Sequence, residues 1–189
     1  KNVGIETTSD LTEIYKKYID YAKLKFEADR SGYRWFEAPL MGDQKMPEID
    51  ITHELLKKQL KQSDMAIITI SRQAGEGIDR KIDGEFNLTP QEMKMIQDVS
   101  TAYHGENKPV IVVINSGSVI ETTSWSAYPD AILLAWQPGE EGGNSVADIL
   151  TGKICPSGRL TMTWPLAATD HPSTKNFPQD IDLFTYENL

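Results

Sequence analysis

Among the residues able to do chemistry, one short stretch stands out. Ser71 to Arg80 reads Ser-Arg-Gln-Ala-Gly-Glu-Gly-Ile-Asp-Arg. Glycines flank Glu76 on both sides, so no neighbouring side chain crowds its carboxylate. A carboxylate held this way can be aimed at a substrate as an acid, a base or a nucleophile. Asp79, Arg72 and Arg80 supply further hydrogen-bonding groups. The same pattern also suits a polar loop whose Glu76 simply meets solvent, and spacing alone leaves both readings open.

Two other loops invite comparison. Pro138-Gly139-Glu140-Glu141-Gly142-Gly143-Asn144 opens a helix, as phosphate-binding turns do. Glu140 and Glu141 occupy the place of the phosphate, however, and no Gly-Lys-Ser/Thr ending follows. Acids there suit the helix dipole instead. Asn115-Ser116-Gly117-Ser118 follows a strand but lacks the Gly-x-Ser-x-Gly form of a serine hydrolase elbow. The histidines, His53, His104 and His171, are scattered, and each reads as a surface residue, so no metal site is expected.

The elements that must position these loops follow from periodicity. Asp10 and Glu13 form a capping-box pattern, and Leu11, Ile14, Tyr15, Tyr18 and Ala22 share one helical face, predicting a helix to about Asp29. Residues 31–51 carry several breakers and read as a surface excursion. A second helix is expected over His53 to Gln62. Met65 to Ile70, Pro109 to Ile114 and Ala131 to Trp136 are short, apolar and β-branched or aliphatic, and read as strands buried on both faces. Thr89-Pro90-Gln91-Glu92 starts a helix with Met93, Ile96, Val99 and Tyr103 inward. A further helix carries Val146, Ile149 and Leu150 and closes at Gly152. Leu160 to Trp164 alternates and suits an antiparallel edge strand. Trp125, Trp136 and Trp164 read as core or interface residues, and Trp35 as one that packs on a neighbouring domain. Helices alternating with strands define an α/β fold: an open, mostly parallel sheet with helices on both faces. Ligands of such sheets sit beyond the carboxyl ends of the strands, where the three loops lie.

Bulk properties bound the function. The chain has 189 residues, 39% hydrophobic and 25% charged, which suits one folded domain. A net charge of −9 makes nucleic acid and anionic membrane surfaces poor partners. No run is long or apolar enough to span a membrane as a helix. The single cysteine, Cys155, forbids an internal disulfide. That suits a cytoplasmic enzyme or an exported bacterial one, so the compartment stays open.

The motifs also form an ordered series. Ala74 to Arg80, the Leu-Thr-Pro-x-Glu start at Leu88, Val110 to Gly117, Ala135 to Gly152, Pro156 to Leu160 and Thr163-Trp164-Pro165 together resemble the C-terminal α/β-sandwich domain of glycoside hydrolase family 3. The resemblance is carried by residues 55–165. It implies a retaining β-glycosidase, similar to bacterial β-glucosidases, that acts on terminal β-linked sugars without a cofactor. It further implies that a (β/α)8 barrel domain of the same protein supplies an aspartate nucleophile, and that Glu76 is the general acid/base. By the same resemblance Asp79 and Arg80 shape the loop or contact the substrate. Ile78 departs from the pattern, since relatives often carry an aromatic there.

The expected organisation is a sandwich domain over residues 1–165, lacking its first strand, followed by a linker or wrapping tail over 166–189. A barrel of typically about 250 residues does not fit in this chain, so the chain alone is expected to be inactive. A non-catalytic sugar-binding or scaffolding domain, and a flavodoxin-like nucleotide binder, are the competing readings from other classes.

Overall fold

A computed structural model describes residues 4–29, 48–72, 80–172 and 174. The elements are α1 (Ser9–Asp29), α2 (His53–Gln62), β1 (Ala66–Arg72), a turn over Ile82–Phe86, α3 (Pro90–His104), β2 (Val110–Ser116), β3 (Ala131–Leu134), α4 (Gly142–Leu150) and a short 3-10 turn at Ala168–Asp170. The strands form an open parallel sheet in the order β1-β2-β3. The fold is α/β, as the alternation of helices and strands predicts.

Both helices next to β1 are set by their caps. Thr52 Oγ1 accepts from the Leu55 amide at 3.2 Å and starts α2. At α3, Thr89 Oγ1 accepts from the Glu92 amide at 3.2 Å, and Glu92 Oε2 accepts from the Thr89 amide at 2.8 Å. Pro90 in the first turn gives up no hydrogen bond there. In α1, Leu11, Ile14, Tyr15 and Tyr18 are half-buried and Ala22 is buried, whereas the residues between them are exposed. Tyr15 donates to Glu48 Oε1 at 2.7 Å, and Asp10 pairs with Lys58 of α2 at 2.8 Å.

The core lies between α3 and one face of the sheet. Ile68 and Ile70 of β1 and Val110, Val112 and Ile114 of β2 meet Met95, Ile96, Val99 and Tyr103 of α3 in one cluster. Ile120 and Trp125, both fully buried, close its end. In β1 the pattern alternates: Ala66, Ile68, Ile70 and Arg72 are buried, whereas Ile67, Thr69 and Ser71 are exposed. The strand was expected to be covered on both faces; among the described residues it is covered on one. β3 likewise starts exposed, at Ala131 and Ile132. An apolar run reports that a strand is buried somewhere, not how many layers cover it.

Among the described residues β1 is also an edge strand. The Ala66 amide donates to Pro109 O at 2.9 Å. Alternate residues of a parallel strand bond the same neighbour, so the amides of Ile67 and Thr69 face the open side. A groove of about 1280 Å³ runs along this side, lined by Leu11, Tyr15, Glu48, Gln59, Ile67 and Thr69 among others.

The expected antiparallel strand over Leu160 to Trp164 is not part of the sheet. The segment has no strand pairing, and Leu160 and Met162 point into solvent. It is anchored by the half-buried Trp164, whose indole N–H donates to Ile120 O at 2.8 Å and whose ring lies 6.2 Å from that of Trp136. The alternation is real, but it marks an anchored aromatic rather than a paired strand.

A carboxylate ties the entrance of β2 to the residues before β3. Asp130 accepts from the Val110 amide at 2.7 Å and contacts His104 Nε2 at 3.0 Å. The Val110 amide, with help from His104, holds the Asp130 carboxyl below the usual carboxylate range. A depressed folded-state value adds stability above the unfolded value, about 3.9, and loses it as pH falls through the folded value. Asp130→Asn is therefore expected to lower Tm at neutral pH and to converge with the parent at strongly acid pH. Parallel curves of Tm against pH for the two proteins would show that Asp130 has no such role.

Candidate active site

The carboxyl ends of the strands gather the polar groups, as the fold requires. Glu76 and Asp79 lie outside the described residues. Arg80 is described, and so is Arg72 at the end of β1.

Arg72 is 6% exposed. Its Nη1 and Nη2 donate to the two carboxylate oxygens of Glu92 at 2.7 and 2.9 Å. Its Nε donates to the Glu85 carbonyl at 2.8 Å, and Nη1 also reaches Ser71 O at 2.8 Å. The two-point geometry matches the planar fork of a guanidinium to a carboxylate and leaves little of either charge unpaired. Glu92 thus has two duties: it caps α3 and neutralises the end of β1.

Arg80 approaches the same place from the other side of residues 73–79. Its Nη2 donates to the Glu85 carbonyl at 2.5 Å, and its Nη1 donates to Val119 O at 2.8 Å and to Ser118 Oγ. Burial and the neighbouring Arg72 charge push the Arg80 pKa down, while Glu85 opposes this. The Glu85 carbonyl is available because the chain turns sharply around it. Gly84 has φ 76°, the Phe86 amide donates to Lys81 O at 3.1 Å, and Asn87 donates to Ile82 O at 2.8 Å. The Lys81 amide donates to Glu85 Oε2 at 2.6 Å, and Glu121 N to Phe86 O at 2.8 Å.

The turn after β2 is built from its own serines. Ser116 is fully buried; its hydroxyl donates to Ser118 O at 2.6 Å and accepts from the Ser118 amide at 3.3 Å. It shapes the turn, and among the described residues its hydroxyl bonds Ser118 rather than a general base. After β3, the Ala135 amide still donates to Ile114 O at 2.8 Å, and the chain then reverses with Trp136 at φ 55°. That left-handed backbone is a genuine outlier for a bulky aromatic. The next loop packs tightly, because a Cβ on Gly142 would lie 2.5 Å from Pro138 Cβ. This close approach explains a glycine at the start of α4 without any phosphate. Among the described residues, no group of three or more His, Cys, Asp or Glu side chains is placed to hold a metal ion.

The structure therefore brings Arg72, Arg80, Ser118 and the Glu85 carbonyl together. The sequence named both arginines, but not the carbonyl on which they converge. The sequence placed Arg72 in the polar stretch after the strand, as a hydrogen-bonding group near Glu76, whereas in the structure it is the last residue of β1.

An open parallel α/β sheet with its polar groups at the strand ends defines the class. The chain belongs to glycosyl hydrolase family 3: residues 7–188 match the family's C-terminal domain. It is 36% identical to beta-glucosidase A of Butyrivibrio fibrisolvens, over 95% of this chain and 23% of that protein. It is 29% identical to a beta-glucosidase of Ruminococcus albus, over 96% of this chain and 18% of that one. Among solved structures it resembles beta-glucosidase 3B of Thermotoga neapolitana in complex with alpha-D-glucose, with TM-score 0.80 and 39% identity over 94% of this chain and 24% of that one. The chain thus spans less than a quarter of these relatives' lengths. The family match also runs past residue 165, and Leu166 O accepts from Thr123 Oγ1 at 3.4 Å.

Proposed function

We propose that this domain serves a retaining β-glycosidase of the β-glucosidase kind, and that Glu76 is its general acid/base. The observation that carries the reading is the Gly75-Glu76-Gly77 motif, which follows β1 in the sequence of a chain of this family. The partner is a (β/α)8 barrel domain of the same protein that supplies the aspartate nucleophile. The substrate is a terminal β-linked sugar. Asp79 and Arg80 shape the loop or contact that sugar.

The chemistry divides between two carboxyl groups about 5–5.5 Å apart. In the first step the aspartate attacks the anomeric carbon while Glu76 gives its proton to the departing glycosidic oxygen. In the second, the Glu76 carboxylate takes a proton from water, whose oxygen attacks the same carbon and releases the aspartate. Glu76 must therefore begin protonated near neutral pH, although an open glutamate titrates near about 4.3. Closing the loop against a barrel removes water and brings a second negative charge near, and both effects raise the pKa.

Two experiments test the reading. In the full-length protein, Glu76→Ala should separate substrates by leaving group; retained hydrolysis of a natural disaccharide would sink the assignment. The 189-residue chain alone should release no nitrophenol from an aryl β-glucoside. Turnover above the uncatalysed rate would show that the chain carries a complete site.

A further inference from the structure

We draw no further inference here: the strongest candidate, the groove of about 1280 Å³ along the open edge of β1, carries none, because nothing in the structure shows what covers it.

Discussion

Glu76→Ala is expected to lower kcat/KM on a β-linked disaccharide by about 10²–10⁴, the usual span for a general acid/base. The same change should leave the first step on a 2,4-dinitrophenyl glycoside nearly intact. A sugar alkoxide cannot leave without a proton, whereas a dinitrophenolate can. The second step then becomes slow, because no carboxylate remains to deprotonate water. Azide needs no base, so it should restore turnover on the activated substrate and yield a glycosyl azide of retained β-configuration. An azide product of inverted configuration, or no response to azide, would contradict the two-step scheme. Glu76→Gln should resemble Glu76→Ala in the first step, since an amide cannot deliver the proton.

Glu92→Ala should cause the largest loss of stability. It leaves the Arg72 guanidinium, whose side chain is 3% exposed, without its carboxylate. Breaking a buried pair by removing one partner costs about 3–5 kcal/mol. The same change removes the acceptor for the Thr89 amide at the start of α3, worth about 1 kcal/mol more. The denaturant midpoint of the domain should fall accordingly with the slope unchanged. A paired change, Arg72→Met with Glu92→Leu, removes the stranded charge and should recover part of the loss. If Glu92→Ala shifts stability by less than about 1 kcal/mol, Arg72 is reaching water despite its burial.

These two residues show how unevenly the molecule was written in its sequence. Thr89-Pro90-Gln91-Glu92 announced the start of α3, because capping is decided within four neighbouring residues. The limits of α2, the inward stripe of α1 and the three strands were legible for the same reason: each depends on local spacing. The second role of Glu92 was not, since its partner Arg72 lies twenty residues earlier and meets it only through the packing of α3 on β1. The contacts of Arg80 with Ser118 and Val119 span still more chain. Leu160 to Trp164 failed in the other direction, because alternation describes a chain's own rhythm and carries no information about a pairing partner. The candidate loop was visible as Gly75-Glu76-Gly77, but its proposed role rests on the ordered family motifs.

The shared acceptor has one more consequence, for how this region can drift. The Glu85 carbonyl belongs to the main chain, so an exchange at position 85 keeps that oxygen but removes the carboxylate that accepts from the Lys81 amide and helps hold the turn. An exchange at position 72 or 80 deletes a donor outright. The junction is therefore inherited through its two arginines together with the turn, Gly84 at φ 76° and the Glu85 carboxylate, that holds the oxygen between them.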